Sequence, residues 1–522
     1  MTQLLRMSPA ATQDNRGLRE KRFQKRGSAR SMSKQPEKKG VSAVDFFCIG
    51  FGAIVGVGWA VAINGWMTSC GGPVPASIGY IVALVMMIPI ALCYCELVPM
   101  LPVAGGGMAF AYRAFNEKIS FLSGWAAFGA FVSIIPWEAI QITDVLGYLI
   151  PNIKNGEPLY RIANTDVYLV TIIIGTICSL LLFALNMRGL AAAATVQKVL
   201  CFVLVGAAIV GAVACLIGGS ADNWKPVYDV SDPTIYGEGL KQVSHKSMFG
   251  GIMAILASAP FFLAGFETIP QGVEDAGGDI TNVGKTVVLS VALACVFYAI
   301  LLICFGYGWP WQQFAHMKNP SASTLFLSLY PNGVGTFLYW LITIGAIAGL
   351  FTTWNGFFMA SASLLMGMGR GCLVPKVFAK QNKNGIPVPG LVVCLILSLI
   401  GPFLGAGLIG DITSFSAAAF VLSWTITSYS LVRLRKTEPD LERPYKIPGG
   451  IAMGIFSAVV TTVVFILLFI PNNPVFMGKT ACIMFVGWMI IGIILFLASA
   501  IQRNRIPKEE REAAMFNHVK EA

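Results

Sequence analysis

The sequence predicts an all-α polytopic membrane protein with twelve transmembrane helices. Three observations lead there: an apolar composition, apolar runs of bilayer-spanning length, and positive charge gathered on alternate connections. The chain has 522 residues, 56% of them hydrophobic and only 12% charged. A soluble domain carries about 25% charge. An apolar run of about 20 residues can cross a bilayer as a helix. Such runs lie at 44–69, 76–101, 121–149, 166–186, 190–218, 247–270, 283–306, 334–366, 388–409, 412–433, 450–471 and 479–501.

The segment 1–43 holds eleven Lys and Arg and no apolar core, so it reads as a basic, disordered cytoplasmic arm rather than a signal peptide. With twelve spans both termini share one side. Nineteen more basic residues lie in the tail 502–522, the even-numbered connections or the spans beside them, and only seven on the opposite side. This bias places the termini in the cytoplasm, as expected for the cell membrane. The charge of +11 is thus a topology signal, and no nucleic acid is expected as partner. Most of the twelve cysteines, such as Cys48, Cys93, Cys201 and Cys295, fall in apolar runs, where they act as small hydrophobes. No C-x-x-C pair occurs, so no metal is expected. Nor is a cofactor expected.

The first run contains "GFGAIVGVG" at 50–58, which fits a loose G-x-G-x-x-x-G pattern. A nucleotide fingerprint needs a strand before it and a helix after it in a βαβ unit. This one lies inside a span, so the glycines need another reason. The sixth run, "MFGGIMAILASAPFFLAGFETIPQ", is broken near Pro260 and 264–266, about 208 residues further on. The second and seventh runs, and the third and eighth, share a similar offset. Two repeats of five spans, about 44–218 and 247–433, would enter the membrane from opposite sides, with two extra spans at 450–501. Inverted repeats with matching broken helices mark secondary transporters. Unwound backbone in hydrocarbon leaves polar groups unpaired and persists only beside a cavity or ligand. Freed N–H groups suit a carboxylate and freed carbonyls suit an ammonium, so a zwitterionic amino acid fits.

These residues resemble the amino acid–polyamine–organocation permeases over about 42–450. "GFGAIVGVGWAV" is similar to the family's first-span signature, "YCELVPMLPVAGGGMAFAYRAF" (94–115) to its second-span stretch, and "FFLAGFETIPQGVEDAGG" (261–278) to its sixth-span break. "SLLMGMGRGCLVPKVFAK" (363–380) and "RLRKTEPDLERPYKIPG" (433–449) resemble its inner loops. The resemblance implies the five-plus-five inverted-repeat (LeuT-like) fold, alternating access, and an amino acid or amine held at spans one and six. The expected substrate-binding residues there are Ile54, Val55, Gly56, Val57, Gly58, Phe262, Ala264, Gly265, Phe266 and Glu267. Two departures stand out. Val57 replaces a turn hydroxyl, and "FVLV" at 202–205 replaces a mid-span lysine found in some proton-coupled members. Lys198 lies nearer the inner end.

Charges within spans are costly, so each calls for a reason. Glu138 follows Trp137 in "SIIPWEAIQITD", where the pair can form a pocket wall and a carboxylate for an amine or a proton. Glu267 directly follows the sixth-span break, as a second ion-coupling carboxylate or a cap for freed N–H groups. Glu96, near the inner end of the second span, is expected to form an inner gate with Arg113. Thr352 and Thr353 in "LFTTWNG" are the alternative, a sodium site. A proton needs only one buried carboxylate, so proton coupling is favoured over sodium. Three histidines in polar segments and no nucleophile–base pattern argue against an enzyme. The expected function is a secondary permease for an amino acid or related amine. A polyamine or organic amine exchanger, a channel and a transporter-like nutrient sensor are the alternatives.

Overall fold

Ser42 starts the first membrane helix by a reciprocal cap. Its Oγ accepts from Asp45 N (3.3 Å), and Asp45 Oδ2 accepts from Ser42 N (3.1 Å). The computed structural model describes residues 41–516 apart from 151–152, 154–155, 163–164, 231–246, 278–279, 318–320 and 474. The basic arm to residue 40, half of the fifth-to-sixth connection and the end of the tail therefore lie outside the described residues.

The first part of the chain folds as α1 (Ala43–Val55), α2 (Gly58–Val61), α3 (Ile63–Cys70), α4 (Pro73–Met100), α5 (Gly107–Ala114) and α6 (Glu117–Leu149). A small antiparallel hairpin, β1 (Tyr160–Ile162) with β2 (Thr165–Val167), precedes α7 (Leu169–Asn186) and α8 (Leu190–Gly218). The sixth apolar run is in pieces: α9 (Met248–Ala254), α10 (Ala259–Phe262) and α11 (Thr268–Gln271). Then come α12 (Ile280–Gly308), α13 (Trp311–Ala315), α14 (Ser321–Leu329), α15 (Gly333–Arg370), α16 (Val388–Leu404) and α17 (Ile409–Thr437). The chain ends with α18 (Gly450–Leu467), α19 (Lys479–Ala498), α20 (Ala500–Arg505) and α21 (Lys508–Phe516).

Among the described residues ten helices are long and apolar enough to cross a membrane. Two of the twelve sequence runs are not among them, for physical reasons. Run 388–409 gives the short apolar α16, which ends at Gly405. Run 247–270 has no continuous helix because its backbone is interrupted around 255–257 and 263–267. The hairpin was not foreseen: it occupies a polar connection with no periodic signal.

Helix starts follow local chemistry. Asn116 Oδ1 accepts from Lys118 N and Ile119 N at the head of α6 (both 3.0 Å), and Asn332 Oδ1 does the same for Val334 N at α15 (3.0 Å). Pro73 occupies the first turn of α4, where its missing N–H removes no helix bond. α4 lies along α12, α6 along α15 and α17, and α7 along α16. α18 and α19 instead leave large apolar side chains such as Ile466, Ile483, Ile494 and Leu497 exposed. In a soluble protein that surface would aggregate; against lipid tails it needs no cover. α19 is fastened to α6 by a reciprocal pair of indoles. Trp125 Nε1 donates to Trp488 O (2.8 Å), Trp488 Nε1 donates to Trp125 O (3.0 Å), and the rings stack at 4.5 Å.

Candidate functional site

The two interrupted segments meet at the centre of the molecule. α1 ends where Gly56 takes φ +48°, ψ −143°, a conformation closed to L side chains. Opposite it, Gly265 takes φ +135° between α10 and α11. A Cβ there would lie 2.6 Å from Ile54 N and 2.7 Å from Ala53 C, so backbone rests on backbone.

The phenol of Tyr298, on α12, ties both breaks together. Its oxygen lies 2.9 Å from Ile54 O, 2.9 Å from Val55 O and 3.4 Å from Phe262 O. One hydroxyl proton is thus shared among carbonyls freed by the loss of helix. On the other side Thr352 Oγ1 donates to Gly52 O (2.9 Å) and Gly349 O (2.7 Å), while Thr353 Oγ1 is 3.3 Å from Ala53 O. Tyr298→Phe should leave the fold intact but slow uptake by about tenfold, since each orphaned carbonyl loses about 1 kcal/mol or more. Unchanged uptake in reconstituted vesicles would remove the phenol from the site.

A cavity opens between the breaks. Its walls are Ala53 to Gly58 from the first break, Ile134, Trp137 and Glu138 from α6, Phe261 and Phe262 from α10, and Thr353 and Phe357 from α15. The free space is about 20 Å³ for the centres of water-sized spheres, room for about one water. Phe262 fills part of it. Its ring crosses Trp66 at 4.9 Å, edge to face, and sits 2.9 Å from where a Cβ on Gly58 would be. Trp137 is held by Nε1 donating to Thr413 Oγ1 (3.2 Å) and by Phe261 at 5.5 Å. Glu138 is 2% exposed, and its Oε2 has no hydrogen-bond partner.

The cavity therefore gathers Ile54, Val55, Gly56, Val57, Gly58, Trp137, Glu138 and Phe262 from the sequence expectation, with Thr353 of the sodium alternative. Ala264, Gly265, Phe266 and Glu267 are not in its wall. Phe266 turns away to stack on Trp424 at 5.6 Å. Glu267 turns the same way: Oε1 accepts from Trp424 Nε1, and Oε2 accepts from Gly265 N (2.8 Å). One oxygen caps the broken backbone and the other holds an indole, which matches the cap offered as its alternative role and leaves Glu267 out of the cavity wall.

The expected Glu96–Arg113 pair does not form. Glu96 is fully buried and holds Arg435 (2.8 and 2.5 Å), Arg443 (3.3 Å) and Ile447 N (2.9 Å). Arg113 instead pairs with Glu438 at 2.8 Å, near the surface. Lys198 pairs with Asp45 at 2.7 Å, joining α8 to the start of α1. A further pair, Arg370 with Glu274 (2.6 Å), links α15 to the segment after α11.

Sequence reasoning missed Ile134, Phe357 and Tyr298. The first two had a usable signal: Ile134 is one turn before Glu138 and Phe357 one turn after Thr353, so each shares a helix face with a named residue. Tyr298 had none, because its partners are distant in sequence.

Residues 41–496 match the family described as amino acid permease. The chain belongs to that family. The Bacillus subtilis (strain 168) branched-chain amino acid permease BcaP is 23% identical to it over 486 residues, or 90% of this chain and 94% of that one. The Lactococcus lactis subsp. cremoris (strain MG1363) branched-chain amino acid permease BcaP is 24% identical over 474 residues, 88% and 94% of the two chains. The Arabidopsis thaliana polyamine transporter RMV1 is 26% identical over 440 residues, 81% and 78%. This permease is accordingly an integral membrane transporter and not an enzyme. Its matched region contains both breaks and every wall of the cavity.

Proposed function

We propose that the chain is a secondary active permease that moves an amino acid or related amine across the cell membrane by alternating access, coupled to protons. The observation that carries the reading is the cavity between two facing helix breaks, with the unpartnered carboxylate of Glu138 in its wall. Bare backbone at Gly56–Gly58 offers polar groups to the ligand, and the aromatic walls exclude water. The proposed substrate-binding set is Ile54 to Gly58, Trp137, Glu138 and Phe262. Gly265 and Glu267 shape the break behind it.

The reading includes a twelve-span topology with two inverted five-span repeats, the arrangement that alternating access would use. The pairs that such repeats make equivalent, α4 with α12, α6 with α15 and α7 with α16, pack side by side. The ion pairs Glu96–Arg435, Glu274–Arg370 and Asp45–Lys198 would close the cytoplasmic side, and opening inward would part some of them. Lys225→Cys and Lys380→Cys variants test the topology. Both positions are exposed and eleven of the native cysteines are buried, so background is low. An impermeant thiol reagent on intact cells should label the first site only; equal labelling would overturn the twelve-span arrangement.

Purified protein in proteoliposomes tests the function. Uptake should saturate, be accelerated by substrate on the far side, and respond to a pH gradient in sodium-free buffer. One observation favours a second ion: Thr352 and Thr353 place hydroxyls against carbonyls of the first break. Uptake that ignores the pH gradient and requires sodium would move the coupling site to those residues. Flux that never saturates would point to a channel.

A further inference from the structure

Glu138 is the single charged side chain in the cavity wall. The remaining wall is glycine backbone, aliphatic and aromatic side chains, and the Thr353 hydroxyl. Among the described residues no lysine, arginine, histidine or second carboxylate lines the cavity. Glu267 spends both oxygens on Trp424 and Gly265. From α12 the titratable group within electrostatic range is the Tyr298 phenol, whose oxygen is turned to the backbone carbonyls of both breaks.

We infer that a proton and a positively charged substrate compete for the same Glu138 carboxylate, so that the permease exchanges an organic cation for a proton. The inference rests on the permease reading above and gives its coupling a sign. An uncompensated ion in an apolar, water-poor site costs several kcal/mol. The occluded cavity therefore has two states free of that cost. In one, Glu138 carries its proton as a neutral acid, and the cavity is empty or holds a neutral zwitterion. In the other, Glu138 is a carboxylate and a cation sits against Oε2. A protonated Glu138 beside a cation leaves one positive charge unbalanced; an empty cavity with an ionised Glu138 leaves one negative charge.

The small cavity supports the second exclusion, since room for about one water gives a lone carboxylate little hydration. The empty carrier thus crosses with its proton. On binding, the cation displaces that proton to the solution it came from: Glu138 O–H breaks, the proton leaves to water, and the carboxylate keeps the electron pair. The loaded carrier then crosses without a proton, and the exchange is one-for-one and electrically silent. A zwitterion binds the protonated form and moves no net proton.

Methionine and S-methylmethionine test this, because they differ by one methyl and a fixed charge that cannot leave as a neutral base. Citrulline and arginine form a second such pair. Proteoliposomes with a trapped pH dye and a clamped membrane potential report proton movement during uptake. S-methylmethionine entry should raise the luminal pH, with about one proton leaving per cation taken up, while methionine entry leaves it unchanged. Glu138→Gln mimics the protonated acid. It should abolish the pH signal and lower S-methylmethionine uptake relative to methionine uptake on the order of 10–100-fold. An unchanged melting curve in detergent shows that the variant is folded; should Gln not fold, Glu138→Asp keeps the titratable group and must keep the exchange. Luminal acidification by either cation, or a pH signal that survives Glu138→Gln, would overturn the inference, as would transport of neither pair. A wild type that takes up no amino acid or amine at all would overturn the permease reading itself.

Discussion

Gly265→Ala should abolish uptake while Gly206→Ala leaves it unchanged. Both are single methyl additions to glycines in apolar segments. Gly206 lies on the exposed side of α8, and a Cβ there meets nothing within 4 Å. Gly265 differs in two ways. Its φ of +135° is not open to alanine, and forcing such a conformation costs on the order of 1–3 kcal/mol. Its Cβ would also stand 2.6 Å from Ile54 N. That neighbour is main chain, fixed in turn by Tyr298 at Ile54 O, so it cannot rotate away as a side chain would. Overpacking of this kind adds about 1–3 kcal/mol. The strain falls on the cavity wall, and relief requires the two breaks to separate. Vesicle uptake and a melting curve in detergent read the two consequences. Uptake within about twofold of wild type would mean that the breaks are not in contact during transport.

That contact was half legible in the sequence. The glycines at 56 and 58 and the Pro260 to Gly265 stretch announced two breaks inside apolar runs, at positions about 208 residues apart that a five-span repeat would make equivalent. Which atoms would touch across them was not announced, since it depends on the rotation of each half-helix. The same limit explains the site acids. Glu138 lies inside an unbroken helix, where Ile134 one turn earlier shares its face, so periodicity still carries its direction. Glu267 lies just past a break, where periodicity stops, and it turned toward Trp424 rather than the cavity. Glu96 was legible as a buried acid in need of a base. Its bases, Arg435 and Arg443, come from more than 300 residues away, where no local pattern reaches. Arg113 was merely the basic residue nearest in sequence.

Glu96→Ala should be the most destabilising single substitution among these ion pairs, and more harmful than Arg435→Ala. Glu96 is fully buried, accepts from Arg435 and the backbone N–H of Ile447, and forms an ion pair with Arg443. It joins the inner end of α4 to α17 and to the segment leading into α18. The Arg443 side chain is itself only 4% exposed and Arg435 17%. Removing the carboxylate therefore leaves two guanidinium groups with little access to water, and an orphaned buried charge costs about 3–5 kcal/mol. Removing Arg435 instead leaves Glu96 with Arg443 at 3.3 Å and with Ile447 N, so the acid stays compensated and the loss is smaller. The order follows from sharing: one acid serves two bases, so the acid is the costlier one to lose. Melting of the purified variants should fall furthest for Glu96→Ala, with less protein reaching the membrane. Equal melting of the two variants would mean that Arg443 does not take up the charge. If the inner side opens by parting this cluster, Arg435→Ala should also favour the inward-open state, raising accessibility of a cysteine introduced at Gln271 to an impermeant thiol reagent applied to inside-out vesicles. No gain in labelling would assign the cluster to folding alone.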